Sequence, residues 1–300
     1  MLHLQLFGHL SISRHDAGVA SSAVEISGRP GGLLAFLALG QGRYYTRHEL
    51  IDALWSDHGE TTRVGSFNTT LWRLRRALQQ PPLAQPTLIR CDRCGAVGVP
   101  TEAQLTLDVA EFARLVEPSL AKPLEALEAE DVQRLKRGVA LYRDDMLTGF
   151  SDDWALRERE LHRRRCLNAL SRLMHLSVLQ QDFVAAIGFA QQILDRDPLR
   201  EDIHRELMRL LLISGQRALA LRQFEHCRAV LRQELAIQPM RETLALYQQI
   251  AEGAIERGDG GSAVLEPQAP QDLVANARRY LAQADAQLQM CLPLLGGSSG

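Results

Sequence analysis

The sequence predicts a mainly α-helical chain in two parts. An N-terminal winged helix-turn-helix with a small β-sheet and a wing hairpin is expected over 1–107, and a tetratricopeptide-like helical-repeat domain over 108–256. Three observations predict this. The stretch SFNTTLWRLRRAL (66–78) sets Phe67, Leu71, Leu74 and Leu78 at i, i+4, i+7 and i+11, which makes one apolar stripe on an α-helix. The segment LIRCDRCGAVGV that follows reads as two short strands around a tight turn. From about residue 108 the pattern becomes almost entirely amphipathic helix, with apolar positions that recur at a fixed separation.

In chain order, LHLQLFG, LSIS and AVEIS alternate apolar and polar residues with Gly and Ser between them, the pattern of short strands in a small antiparallel sheet. GGLLAFLALG predicts a helix of about two turns ended by Gly40 and Gly42, and Tyr44 and Tyr45 suit a brief strand. In TRHELIDALW, Thr46 followed three residues later by Glu49 forms a capping box that starts a helix near residue 47. A polar turn, SDHGETTR, leads to the helix at about 62–79, which Pro81 and Pro82 stop. The hairpin turns at Asp92–Gly95. Helix–turn–helix followed by a hairpin is the order of a winged helix, whose third helix enters the major groove.

Beyond residue 108, FARLVEPSL, DVQRLKRGVALY, the long run from WALRERELHRRR to LSVL, and four further segments are all amphipathic at helical period. Leu176 and Leu210, Leu179 and Ile213, Ala186 and Ala220, and Ile187 and Leu221 are each 34 residues apart, the period of tetratricopeptide helix pairs. Residues 257–272 read as a Gly/Pro linker. Residues 273–291 read as a final helix with an apolar seam of under three heptads, suited to a weak contact in a homodimer.

Composition narrows the function. The hydrophobic fraction of 46% is that of a globular protein, and no apolar run reaches the roughly 18 residues of a membrane helix. The N-terminus lacks the pattern of a secretory signal, so a cytoplasmic location without membrane association is expected. Five dispersed cysteines do not form a disulfide framework. The formal charge of −2 conceals a local excess of basic charge: residues 63–93 hold six arginines (63, 73, 75, 76, 90, 93) against the single acid Asp92. A patch of that kind binds polyanions.

On the helical wheel, Thr69, Trp72, Arg73 and Arg76 point away from the apolar stripe, with Ser66 at its margin. Arg73 and Arg76 are placed to meet phosphates or guanine edges, and Ser66 and Thr69 phosphates or bases. Trp72 fits either a sugar or thymine methyl, or packing against the wing. Arg63, Arg90 and Arg93 complete the candidate DNA-binding set. Arg75 lies nearer the stripe and is expected to pair with an acid. Cys91 and Cys94 have half the ligand spacing of a zinc ribbon with no second pair nearby, which leaves a hairpin tip as the leading reading over a metal or redox pair. His162 with Arg163, Arg164 and Arg165 reads as a solvated, salt-bridged run. Neither a HExxH nor a catalytic triad pattern occurs, and no GxxxxGK[ST] is present, so neither enzymatic activity, a metal nor a cofactor is expected.

Taken in order, LQLFGHLSI, RHELIDALW, SFNTTLWRLRRAL, LDVAEFARLV, LYRDDMLTGF, DWALRERELHRRR and the run from DRDPLREDIHRELM to ELAIQP resemble the Streptomyces antibiotic regulatory protein family over residues 2–256. That family joins a response-regulator-type winged helix to a bacterial transcriptional activator domain. The resemblance implies a sequence-specific transcription activator that binds double-stranded DNA at promoter direct repeats and contacts RNA polymerase. It places the DNA-contacting side of the recognition helix around Arg73, and Arg90 and Arg93 in the wing. Two other classes compete: a regulator gated by a small molecule held in the helical repeats, and a tetratricopeptide-type interaction scaffold. The scaffold has no need of an arginine-rich helix face.

Overall fold

The computed structural model describes residues 1–253 except 17–18, 21 and 56–59; the side chains of 16, 19–20 and 60–64 also fall outside the described set, as do the expected linker and final helix. Five strands make the first sheet: β1 (Leu2–Gln5), β2 (Ser11–Asp16), β3 (Val19–Ala20), β4 (Val24–Glu25) and β8 (Leu105–Leu107). β1 and β2 pair antiparallel, Leu4 opposite Ile12, and the short β3 and β4 both pair with β2. β8 runs parallel to β1, with Leu2 opposite Leu105, a pairing for which adjacent sequence gives no cue.

Next come α1 (Gly28–Leu39), β5 (Tyr44–Tyr45), α2 (Arg47–Leu54) and α3 (Glu60–Gln79), then the wing strands β6 (Arg90–Cys91) and β7 (Val97–Gly98). β7 lies between β5 and β6 in a second, three-stranded sheet. α1 is a turn longer than expected because Arg29 and Pro30 belong to its first turn, where a missing N–H leaves no helical bond unmade. Gly31 is required there: a Cβ would sit 2.0 Å from the Ile26 carbonyl oxygen. The capping box on α2 forms as expected, with Glu49 N–H donating to Thr46 Oγ1 at 3.2 Å and Thr46 N–H donating to Glu49 Oε2 at 2.7 Å.

The helical part begins with α4 (Asp108–Leu120) and α5 (Ala129–Leu141), joined through a 3-10 turn, and continues with α6 (Asp153–Leu179), α7 (Phe183–Arg196), α8 (Glu201–Ile213), α9 (Arg217–Leu235) and α10 (Arg241–Glu252). By packing, the chain forms two compact units, one of Met1–Ala121 with Ala129–Cys166, the other of Lys122–Glu128 with the described residues from Leu167 on. The winged helix therefore shares one unit with α4, α5 and the first half of α6. Among the described residues no helix is long and apolar enough to cross a membrane.

In the first unit, Asp108 ties the sheet to α4. Its carboxylate accepts N–H bonds from Leu6 (2.9 and 3.0 Å), Phe7 (2.9 Å) and Val109 (2.8 Å). The loop after α5 is fastened to the β1–β2 turn by Leu147 N–H to Leu6 O (2.8 Å) and Gly8 N–H to Asp145 O (3.0 Å). Arg159 holds that loop from α6, donating to the carbonyls of Met146 (2.7 Å), Leu147 (2.5 Å) and Phe150 (2.9 Å). The motifs LYRDDMLTGF and DWALRERE thus meet in one place.

His162 departs from expectation. It is buried against the Phe7 and Phe112 rings, 5.8 Å away in each case, rather than solvated. Its neighbours Arg164 and Arg165 do form ion pairs, with Glu160 (3.7 Å) and Glu117 (2.5 Å). The helix turns the histidine inward because it falls on the apolar side with Ala155, Cys166 and Leu170. Burial, helped by the Arg165 charge, pushes its pKa from 6.5 down to about 4. A depressed histidine contributes stability above pH 6.5 that is lost as pH falls toward 4, worth about 3 kcal/mol at 1.36 kcal/mol per pH unit. In chemical melts at pH 7 and pH 4.5, His162→Leu is expected to lose less stability on acidification than the parent; equal losses would place the histidine's charging elsewhere.

The second unit carries the repeat into three dimensions. Ala186 and Ala220 are both fully buried, while Leu179 and Ile213 are both exposed. Gln181 (φ 59°) and Gly215 (φ 73°), again 34 apart, make the same left-handed turn between paired helices. α10 is held to α8 by a buried polar group: Glu201 Oε1 accepts from Met240 N–H (2.7 Å) and Thr243 Oγ1 (2.5 Å), and Arg205 donates to Thr243 Oγ1 (3.0 Å).

Candidate nucleic-acid interface

The predicted stripe of α3 is the buried one. Phe67 and Leu74 are fully buried, Leu78 is 1% exposed and Leu71 7%. α3 packs on α1 and α2, and Trp55 at the end of α2 lies edge-on to Phe67 at 5.9 Å. Arg29 also holds Trp55, its guanidinium 5.7 Å from the indole, while pairing with Asp152 at 2.6 Å. The helix is thereby anchored from its apolar side and its opposite face is left open.

On that face the structure sets the candidates in distinct environments. Trp72 is 57% exposed, and the Arg76 guanidinium stacks over its ring at 5.2 Å. Arg73 and Arg76 are exposed, and neither has a carboxylate partner among the described residues. Thr69 is exposed, but its hydroxyl donates back to the Gly65 carbonyl at 3.0 Å. Ser66 is half-buried and its Oγ accepts the Trp55 indole N–H at 3.2 Å, which turns it toward the core. The Arg63 side chain lies outside the described residues. Asn68, which the wheel reading passed over, is exposed one turn from Trp72. Its signal was available, since an exposed amide on the same helix as Arg73 and Arg76 is a side chain able to pair with adenine.

The wing turn is built by Asp92. Its Oδ1 accepts from Cys94 N–H (2.9 Å) and Ala96 N–H (2.8 Å), and Gly95 takes φ +83°. Arg93 projects from this tip, exposed and without a carboxylate partner among the described residues. Arg90, in contrast, is held by Glu102 at 2.9 Å. Arg75 was expected to pair with an acid, but among the described residues it does not; its Nη2 donates to Cys91 Sγ at 3.1 Å, linking α3 to the wing. Arg73, Arg76 and Arg93, which have no carboxylate partner among the described residues, therefore project from α3 and from the wing joined to it. Such an array attracts phosphates, because a guanidinium offers paired donors that match an oxyanion.

Cys91 and Cys94 are exposed free thiols, and among the described residues no group of three or more His, Cys, Asp or Glu is placed to hold a metal ion. Since Asp92 rather than either thiol closes the turn, replacing both cysteines with serine is expected to change stability by less than about 0.5 kcal/mol. Elemental analysis of the parent is expected to find no zinc; a stoichiometric amount would reverse the assignment.

Comparison with known proteins places these features. The family model described as Bacterial transcriptional activator domain matches residues 107–251. The chain is 28% identical over 221 residues to the regulatory protein AfsR of Streptomyces coelicolor, covering 73% of this chain but only 21% of AfsR, so it spans about a fifth of that relative's length. It is 27% identical over 241 residues to the transcriptional regulator RedD of Streptomyces coelicolor, covering 79% of this chain and 67% of RedD. Among solved structures, Mycobacterium tuberculosis EmbR, in complex with a low-affinity phosphopeptide, shares the fold with a TM-score of 0.61 at 16% identity, over 95% of this chain and 71% of that one. The agreement with EmbR supports a winged helix followed by tetratricopeptide-like helices.

Proposed function

We propose that the chain is a DNA-binding transcription activator of the Streptomyces antibiotic regulatory protein family, a reading supported by the activator-domain match and by the likeness to AfsR and RedD. The observation that carries this reading is the open face of α3, where Trp72, Arg73 and Arg76 stand exposed on a helix whose other side is locked into the core. A helix of this kind enters the major groove with its base-reading side chains forward. In this reading Arg73 meets a guanine edge, Arg76 a phosphate, and Asn68 an adenine. The Trp72 indole lies against sugar or a thymine methyl, and Arg93 lies on the backbone beside the groove. Ser66 and Arg90, both engaged within the protein, contribute little.

The helical domain contacts RNA polymerase, and two copies sit on the direct repeats of a promoter in the cytoplasm. The regulator names of AfsR and RedD and the activator-domain match support this assignment. Selection of bound fragments from genomic DNA, sequenced and followed by transcription from the recovered promoter with and without the protein, tests it. Enrichment of a repeated motif with raised transcript is expected; recovery no better than from a matched acidic polymer would reject the reading.

A further inference from the structure

A second basic site lies on α4 and α5, in the first compact unit. A groove of about 340 Å³ runs between α4 and α5, lined by Arg114, Leu115, Glu130, Gln133, Arg134 and Arg137. Three guanidiniums line it against one carboxylate. Arg134 already answers that carboxylate, pairing with Glu130 at 2.5 Å and lying 4.0 Å from the buried Asp131. Arg114 and Arg137 are exposed and have no partner among the described residues, so the lining keeps a surplus of two positive charges. Like charges that converge on one concavity repel, and an anion bound between them relieves that cost.

The frame that holds them is rigid. Gly138 lets α4 and α5 approach so closely that a Cβ there would lie 2.4 Å from Val116 Cγ1. Ser119 Oγ donates to Asp131 Oδ1 at 3.1 Å across the same pair of helices. Arginines on two packed helices keep their geometry better than those on a loop, and the volume is that of a small-molecule pocket rather than a macromolecular groove.

We propose that this groove binds a small molecule through a phosphate monoester. The surplus of two charges matches the dianion that such a group carries near neutral pH, where a lone carboxylate brings one charge. Guanidinium pairs grip its oxygens bidentately, the Gln133 amide supplies a further donor, and Leu115 gives an apolar floor for the rest of the ligand. The site is independent of the DNA-binding reading and adds a ligand class to it.

The test is a titration of the full chain with inorganic phosphate and with phenyl phosphate, followed by thermal shift at constant ionic strength. Citrate and chloride serve as comparison anions. Saturable stabilisation by both phosphates, with phenyl phosphate the tighter, is expected. The double variant Arg114→Gln, Arg137→Gln should melt like the parent without ligand and lose at least tenfold in affinity. Arg143→Gln, at an exposed arginine outside the groove, should bind as the parent does. A shift no larger than that of chloride, preference for citrate, or undiminished binding by the double variant would each overturn the proposal. So would a double variant that loses DNA affinity in phosphate-free buffer, since that would give the arginines to a nucleic-acid backbone.

Discussion

Asp108→Ala should destabilise the chain by about 3–6 kcal/mol, a large part of the 5–15 kcal/mol that holds a typical domain together. The carboxylate is buried and is the acceptor for the N–H groups of Leu6 and Phe7, themselves 0% and 1% exposed, as well as for Val109. Alanine offers these donors nothing, and each buried unsatisfied N–H costs about 1–3 kcal/mol. The damage is not local, because Phe7 packs on Phe112, Tyr142 and His162. Asp108→Asn keeps one accepting oxygen and should recover part of the loss.

Burial raises the Asp108 carboxyl above its ordinary range, more than the backbone donors lower it. A folded pKa above the unfolded one means the native state holds the extra proton. This group's contribution to stability therefore falls as pH rises through the interval between the two values, opposite in sign to that of His162. Urea unfolding of parent, Ala and Asn variants at two pH values measures both effects. An Asp108→Ala variant within 1 kcal/mol of the parent would mean that the buried amides find other partners.

That tie was not visible in the sequence, and the reason is general. Asp108 opens LDVAEFARLV, where an acid at a helix start is ordinary; its partners lie about a hundred residues earlier, beyond the reach of any local pattern. The same holds for β8 beside β1 and for Arg159 reaching the carbonyls of the 146–150 loop. What was legible was periodic or punctuated: the α3 stripe, the Thr46–Glu49 box, the turn at Asp92–Gly95 and the 34-residue repeat. At the interface, the wheel separated Arg73 and Arg76 from the core correctly but left Ser66 at a margin. Only the position of Trp55, from another helix, decides that Ser66 turns inward. His162 was misread because a run of arginines signals solvent, while helical phase puts its first member among phenylalanines.

Arg73→Ala combined with Arg76→Ala should weaken binding to the selected DNA by about 2–4 kcal/mol, roughly 30- to 700-fold, with no loss of fold. Both side chains are exposed, and neither has a carboxylate partner among the described residues, so their removal leaves nothing buried and unsatisfied. The two contributions separate by chemistry. If Arg73 grips a guanine, Arg73→Ala costs about 1–3 kcal/mol and relaxes preference at that base alone. If Arg76 neutralises a phosphate, Arg76→Ala weakens all sequences alike and lowers the salt slope by about 0.9. Arg76 also stacks on Trp72 at 5.2 Å, so Trp72→Ala is needed to tell a lost phosphate contact from a displaced indole. Leu74→Ala is the opposite control: it opens a cavity under a fully buried position and should cost about 2–5 kcal/mol of stability. Binding isotherms at four salt concentrations, with melts of every variant, decide the matter. A double arginine variant that melts normally and binds the selected site like the parent would remove α3 as the recognition helix.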